Sequence, residues 1–233
     1  MTLHGSEEAD LRSMPPQKEI SYWGHSFGGP VGVCVICARI APSVPSLLPT
    51  RVGLGAWLTH ATSVGTPLTG ASDHGVSEAV YLNDPEGNGV EVYADRPAST
   101  WRWRDGLVAM SNGRLDLPEL KSVATARPWR GAPEASTIGH VHLQVGAVDR
   151  AETFYRDALR LDVTARSPGA LFYAVDGYHH HIATNAWNSP DAARREMPST
   201  GLTELELRLP APSAGVVVDP WGTPIRVSRH QVP

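Results

Sequence analysis

Apolar and polar positions in the second half of the chain follow a clear order. Residues 140–146 alternate between apolar and polar side chains, as in a half-buried strand. Residues 148–159 then place apolar side chains three and four positions apart, which predicts a helix with one buried stripe. The pattern therefore predicts a strand, a helix and three further strands, the last three formed by LDVTAR, ALFYAVD and HHHIATN.

The first half repeats part of this pattern. Residues 52–65 have apolar residues at helical spacing, and two short strands are predicted at 76–82 and 89–93. The intervening NDPEGNG has the turn chemistry of a hairpin. Upstream, residues 31–50 contain an apolar run and then three prolines. Because proline cannot donate to a central ladder, this region is predicted to form at best the edge of a sheet.

The end of the chain resembles an earlier part of it. VVVDPWGTPIRV can be laid over VYLNDPEGNGVEV, so the chain contains copies of one small unit, and the last copy is too short to hold a helix. Between the units, a short helix capped by Asp116 is predicted. The predicted division is an irregular arm at 1–45, a partial N-terminal domain at 46–97, a linker at 98–137 and a C-terminal domain at 138–230.

Composition narrows the class of protein. Of the 233 residues, 41% are hydrophobic and 19% are charged, which suits a packed core rather than global disorder. The net charge is −4 and the basic residues are scattered, so nucleic acid is not an expected partner. No apolar run approaches the roughly 18 residues of a membrane span, so no membrane partner is expected. The polar first residues lack the pattern of a secretion signal, and the expected location is the cytoplasm.

The stretch DHGVSEAVYLNDPEGNGVEVYADRP places a carboxylate, Glu91, in a strand that is otherwise apolar. If Leu82 pairs with Val90 across the turn, Tyr81 lies opposite Glu91, with the two Cβ atoms about 5 Å apart. His74 precedes Tyr81 by seven residues and would face the other way in a continuous strand, so to join Tyr81 and Glu91 it must lie in the preceding loop or beyond a bulge. The alternative is a half-exposed hairpin with its polar side chains in water.

These motifs resemble the vicinal oxygen chelate superfamily, which includes glyoxalases, bleomycin-resistance proteins and extradiol ring-cleavage dioxygenases. The same stretch is similar to the extradiol signature, and GHVHLQVGAVDRAETFYRDALRLDV is similar to the opening of a superfamily module. The likeness is greatest to two-domain bacterial catechol-2,3-dioxygenase-like proteins. The resemblance implies an α+β fold of repeated strand-helix-three-strand modules, whose first and last modules are incomplete here.

The resemblance also implies a chemistry. Glu91 is then a metal ligand, His74 an acid or base, and Tyr81 a donor to a substrate oxygen. Two histidines and one carboxylate with open positions suit iron(II), with manganese, zinc or nickel as alternatives. The expected partners are a small aromatic substrate of the catechol type, dioxygen and, as a homodimer, a second copy of the chain.

The histidine ligands in this superfamily lie on the first strands of paired modules. His140 stands at that position in the second half. The corresponding strand of the first half, residues 43–49, has no histidine, which leaves His25 as the upstream candidate. His142 would share a face with His140, and further candidate ligands are His179 and His181 on one face of a strand, His180, Glu204 and Glu206.

Two alternatives remain open from the sequence. The same carboxylate and fold would serve a glyoxalase-like lyase or isomerase that uses zinc or nickel as a Lewis acid. A shortened, non-catalytic member with a broken metal site would also explain the missing histidine and the short last module.

Overall fold

The computed structural model describes residues 20–22, 32–37, 44–85, 87–124, 128–196, 202–209 and 215–229. Most of the predicted N-terminal arm, with His25, lies outside these residues. The helices are α1 (Arg51–Ser63), α2 (Leu117–Ser122) and α3 (Val148–Glu152), which continues as a π-helical segment (Thr153–Ala158), with a short 3-10 turn at Ala98–Thr100. The strands are β1 Ile20–Tyr22, β2 Gly32–Cys37, β3 Val44–Leu47, β4 Leu68–Asp73, β5 Ser77–Asn83, β6 Gly89–Asp95, β7 Trp103–Arg104, β8 Leu107–Val108, β9 Thr137–Ile138, β10 Val141–Gln144, β11 Asp162–Ser167, β12 Ala170–Ala174, β13 Ile182–Asn185, β14 Leu202–Leu209, β15 Gly215–Val218 and β16 Pro224–Arg229.

Two units have the predicted order of strand, helix and three strands. The first module runs from β3 through α1 to β6, and its strands lie in the order β4-β5-β6-β3. The second module runs from β10 through α3 to β13, in the order β10-β13-β12-β11. In each module the first strand runs parallel to the last. The predicted α+β class and repeated module are therefore confirmed, although the first module, expected to be incomplete, holds all five elements from β3 to β6.

The prediction of a sheet edge at residues 31–50 is wrong. β3 lies inside its sheet, parallel to β6 and antiparallel to β9. Its Pro45 lacks an N–H, but the Pro45 carbonyl oxygen accepts a hydrogen bond from the Gly139 N–H at 3.3 Å. β2 likewise lies between β1 and β14. The N–H that Pro45 lacks removes one hydrogen bond of the ladder, and the other pairings of β3 still hold this short strand in place.

Helix α1 begins as its sequence predicts and covers the first module. The Thr50 hydroxyl caps it by accepting from the Gly53 N–H at 3.0 Å. Its buried face, with Leu54 and Leu58, packs in one core cluster with Val80 and Val92 of the sheet. The short helix α2, capped by Asp116 as predicted, packs against α1. This core holds β6, the strand that carries Glu91.

Gly55 allows the close approach of α1 and α2. A Cβ at Gly55 would lie 2.3 Å from the Leu120 carbonyl oxygen. We therefore expect Gly55→Ala to lower the free energy of unfolding by about 1–3 kcal/mol through overpacking. In the control Gly53→Ala, the nearest atom, Thr50 Oγ1, is at 3.3 Å, and alanine favours a helix by roughly 1 kcal/mol. Urea unfolding compares the two variants, and equal effects would contradict the steric argument.

The last module is incomplete, as predicted. Its strands β14, β16 and β15 join β2 and β1 in one sheet. Leu205, Leu207 and Ile225 of this sheet share a core with Tyr173 and Ile182 of the second module. β15 forms the edge of the sheet and its three valines are exposed. The expected homodimer stays a prediction.

The predicted linker, 98–137, contains the hairpin of β7 and β8 and helix α2, and strand β9 begins at its last residue. The boundaries of the domains stay predictions. Among the helices of the described ranges, none combines the length and apolar character needed to cross a bilayer.

Candidate metal centre

Strand β6 presents three polar side chains on one face. Glu91, Tyr93 and Asp95 alternate with Val92 and Ala94, which pack into the core that includes α1. Tyr81 on β5 pairs directly with Glu91, and Leu82 pairs with Val90, the pairing considered from the sequence. Glu91 is only 4% exposed, so this carboxylate points into the molecule rather than into water.

His74 lies in the turn between β4 and β5, as predicted. Its Nδ1 is 2.8 Å from the Ser111 carbonyl oxygen and its Nε2 is 2.6 Å from the Tyr81 hydroxyl. Because a carbonyl only accepts, Nδ1 carries the hydrogen and Nε2 accepts from Tyr81. The Asp73 carboxylate accepts from the Gly75 N–H at 2.9 Å and pairs with Arg96 at 2.7 Å, which holds the turn in place.

His140 enters the site from the junction of β9 and β10, where the chain passes from one sheet to the next. Its Nε2 is 3.5 Å from Glu91 Oε2, and its Nδ1 is 3.0 Å from the Tyr93 hydroxyl. The ring of His142 lies 5.0 Å from the ring of His140, as strand alternation predicted. The second module therefore brings imidazoles to the carboxylate of the first.

The histidine triplet lies in a loop, since β13 begins only at Ile182. The prediction that His179 and His181 share a strand face is therefore wrong. His180 is the member that joins the site, with its ring 4.2 Å from that of His140 and 5.6 Å from that of His142. His179 points instead to Asp95, at 2.9 Å.

The other proposed carboxylates lie elsewhere. Glu204 and Glu206 belong to β14, in a different sheet from β6. Glu204 pairs with Arg226 through two hydrogen bonds of 2.7 and 2.8 Å, because their strands run side by side. The family resemblance implied five site residues, and four of them line one cavity: His74, Tyr81, Glu91 and His140. The fifth, His25, is outside the described residues.

Burial sets the charge states of this cluster. It raises the pKa of the Glu91 carboxyl, an effect that the neighbouring histidines partly oppose. It lowers the pKa of His142 to about 4 and the pKa of His140 and His180 well below the usual value. These imidazoles are therefore neutral at pH 7, the form that binds a metal. Burial, with Glu91 close by, raises the pKa of Tyr81, so its hydroxyl stays a donor.

The donor set fits a divalent metal. Two buried atoms, Nε2 of His140 and Nε2 of His180, have no hydrogen-bond partner. Ring nitrogens of His140, His142 and His180 lie within 4.8 Å of one another. Ligand atoms that share one metal through bonds of about 2.0–2.2 Å stand roughly 3–4 Å apart, which matches the 3.5 Å between His140 and Glu91.

A cavity of about 1130 Å³ opens over these ligands. Its lining includes the ligand candidates, His74 and Tyr81. Apolar side chains such as Val108, Met110 and Phe172 also line it, as do Arg114 and Arg166. A space lined by both apolar and polar side chains suits a small, partly apolar molecule.

Comparison with known proteins agrees with this geometry. Residues 137–218 match the profile of the Glyoxalase/Bleomycin resistance protein/Dioxygenase superfamily. Residues 137–218 therefore carry a domain of that superfamily. The chain is also 41% identical, over 167 residues, to the catechol-2,3-dioxygenase of Bacillus subtilis (strain 168). That match covers 70% of this chain and 58% of the relative.

Two solved structures are similar to the chain at low sequence identity. Glyoxalase I from Zea mays gives a TM-score of 0.41 with 10% identity, over 91% of this chain and 83% of that chain. The 2,2',3-trihydroxybiphenyl 1,2-dioxygenase from Sphingomonas wittichii gives 0.30 with 12% identity, over 90% of this chain and 80% of that chain.

The sequence did not indicate that Tyr93 and Asp95 share the face of Glu91, or that the Tyr178 hydroxyl donates to Asp95 at 2.8 Å. It also did not indicate that His179 contacts Asp95 while His180 contacts His140. The alternation of VEVYAD carried a usable signal, since residues two apart in a strand share a face. It would have placed Tyr93 and Asp95 beside Glu91. No comparable signal marks His180, because the triplet lies in a loop without a period.

Proposed function

We propose that this chain is a metal-dependent extradiol dioxygenase that cleaves a catechol-type aromatic ring with dioxygen. The observation that carries the proposal is the meeting of the Glu91 carboxylate with His140 Nε2 beside the His74–Tyr81 pair, in one cavity. The identity to a catechol-2,3-dioxygenase supports the same reaction, although the match spans only 58% of that protein.

Glu91, His140 and His180 would hold the metal, with His142 beside them. One carboxylate and two imidazoles with open positions favour iron(II), and the superfamily's other metals are the alternatives. When bound, the metal would supply adjacent positions for both catechol oxygens and for dioxygen. The missing histidine of β3 would be replaced by His180, which reaches the same ligand group from the second module.

His74 and Tyr81 would handle the proton of the substrate. Tyr81 donates to His74 Nε2 at 2.6 Å and lies 3.5 Å from Glu91 Oε1. A catechol hydroxyl placed between Tyr81 and the ligand group could lose its proton to His74 directly or through the Tyr81 hydroxyl. The Ser111 carbonyl oxygen holds the ring of His74 in the orientation that keeps Nε2 free to accept.

Tyr81→Phe tests this assignment. We expect metal binding to be retained and ring cleavage to fall about 10²–10⁴-fold, the usual contribution of a positioned acid or base. The assay is anaerobic loading with iron(II), metal analysis, then a catechol and oxygen, with product formation and oxygen uptake recorded. His60→Gln, on the exposed side of α1, is the control and should keep wild-type rates.

The outcomes separate the candidate functions. Full metal occupancy without oxygen uptake, together with turnover of a methylglyoxal–thiol adduct, would favour the lyase or isomerase. Less than about a tenth of a metal ion per chain after loading would favour the non-catalytic member, because bound metal at these ligands is the basis of both reactions.

A further inference from the structure

We infer that the substrate is a catechol whose ring carries a carboxylate substituent, and that Arg114 is the residue that binds this carboxylate. The inference rests on the proposed function, because it names the substrate class of the same cavity. Arg114 lines that cavity together with His74 and Tyr81. It determines specificity and takes no part in holding the metal, because a guanidinium has no acceptor atom.

The balance of charged side chains around the cavity favours an anion. Among the lining residues that the structure describes, the charged side chains besides the histidines are Glu91, Arg114 and Arg166. Glu91 is 4% exposed and lies in the ligand group, where a bound divalent metal would offset its charge. Arg166 is held by two hydrogen bonds of 2.8 and 2.7 Å to the Glu152 carboxylate. Arg114 therefore supplies the charge of the cavity that no neighbour offsets.

The Arg114 guanidinium has no carboxylate partner among the residues that the structure describes. The residue is exposed, so water covers the group while the cavity is empty. Arginine can form two parallel N–H···O bonds with a carboxylate, and this geometry selects a planar anion. A bound substrate would exclude water from this pair, and the attraction between the two charges would then be stronger than in bulk water.

The backbone on both sides of Arg114 is fixed. The Gly113 N–H donates to the Asp73 carbonyl oxygen at 2.9 Å, and the Gly113 carbonyl oxygen accepts from the Asp73 N–H at 2.9 Å. On the other side, Leu115 is buried in the core cluster that includes residues of α1. Binding of a ligand to Arg114 would therefore need little further ordering of the backbone, which lowers the entropic cost of binding.

The segment that carries Arg114 also contacts the proposed base, His74. The Ser111 N–H donates to the His74 carbonyl oxygen at 3.0 Å, and the Ser111 carbonyl oxygen accepts from the His74 ring at 2.8 Å. A ring bound at His74 and Tyr81 therefore lies beside this segment. The cavity volume of about 1130 Å³ exceeds the roughly 300–1,000 Å³ typical of small-molecule sites, so there is space for a substituent on the ring.

Arg114→Gln tests the inference with a pair of compounds of the same size. The compound 3,4-dihydroxyphenylacetate carries the carboxylate, and 3,4-dihydroxyphenylacetamide is its neutral counterpart. We expect the wild type to have the higher kcat/KM for the carboxylate, and Arg114→Gln to lower the ratio of the two values about 10-fold or more, the usual effect of losing a hydrogen bond to a charged group. A general loss of folding or of metal would lower both values together and leave their ratio unchanged.

Two further variants control this measurement. Arg114→Lys should recover part of the preference, because lysine keeps the charge but not the two parallel donors. Arg130→Gln should keep the wild-type ratio, since Arg130 is also exposed but does not line the cavity. The inference is overturned by a wild type that prefers the amide, or by an unchanged ratio in Arg114→Gln, and cleavage of either compound would still support the proposed function.

Calorimetric binding of the two compounds, to the protein with and without cobalt(II), is a second readout that needs no turnover. We expect the wild type to bind the carboxylate more tightly, and this preference to weaken with added salt and to be lost in Arg114→Gln. Equal affinity for the two compounds, or no binding of either, overturns the inference. If the wild type cleaves neither compound but keeps a preference in binding that depends on Arg114, the proposed function fails and the carboxylate site stands.

Discussion

Glu91→Gln is expected to abolish metal binding and ring cleavage while making the metal-free protein more stable at neutral pH. The loss of affinity should exceed the 10–100-fold cost of losing a supporting contact, because the residue removed is a ligand. Glutamine keeps the volume of the side chain, and its amide group can donate to the Tyr81 oxygen, 3.5 Å from Glu91 Oε1, while the Tyr81 hydrogen goes to His74. Metal analysis and the catechol assay measure the first effect.

The stability effect has a definite sign. Burial raises the pKa of Glu91 above its usual 4.5. Its contribution to stability is therefore fully present below pH 4.5 and is lost as pH rises through the folded-state pKa, where the buried carboxyl must ionise. Glutamine does not ionise, so the advantage of Glu91→Gln should grow with pH.

Urea unfolding with a chelator, at several pH values from 4.5 upward, compares Glu91→Gln with the wild type. The lowered pKa values of His140 and His180 make stability fall as pH falls, but both proteins contain these histidines, so the difference between the curves reports mainly on Glu91. Parallel curves would contradict a buried, high-pKa carboxyl. If cobalt(II) raises the free energy of unfolding of the wild type but not that of Glu91→Gln, the ligand role of Glu91 is supported.

Gly139→Ala is expected to lower the free energy of unfolding by about 1–3 kcal/mol through overpacking, and to weaken metal binding. A Cβ at this position would lie 1.7 Å from the Tyr93 hydroxyl oxygen, 2.8 Å from Tyr93 Cζ and 3.1 Å from Leu47 Cβ. Tyr93 is fully buried, so its ring cannot swing away into solvent. The displaced hydroxyl would no longer hold His140 Nδ1, the next residue along the chain.

Two variants control this prediction. Gly215→Ala, on β15, would place its Cβ in open space and should change stability by no more than about 0.5 kcal/mol. Tyr93→Phe in the Gly139→Ala background removes the atom of closest contact and should recover part of the loss. Thermal and urea unfolding of the four combinations gives the coupling energy between the two positions. Strictly additive losses would contradict the proposed contact.

The candidate site was predictable where it depends on local pattern. The sequence indicated a hairpin turn at NDPEGNG, and the assumed pairing of Leu82 with Val90 puts Tyr81 opposite Glu91, where the structure has it. Strand alternation also indicated that His74, seven residues before Tyr81, could share its face only from outside the strand. The choice among histidines was not predictable, because His180 and Glu91 are far apart in the chain and no periodicity relates them.

By itself, the sequence determined the order of strand, helix and three strands, the incomplete last module, and the face of β6 that carries Glu91. Periodicity and turn chemistry depend on residues that are close in the chain, so each segment can be predicted from its own sequence. The tertiary structure alone decided that His140 lies beside Glu91, that His180 joins His140 and His142, and that Glu204 pairs with Arg226 in another sheet. These contacts form because one module packs against the next, and that packing depends on residues that are far apart in the chain.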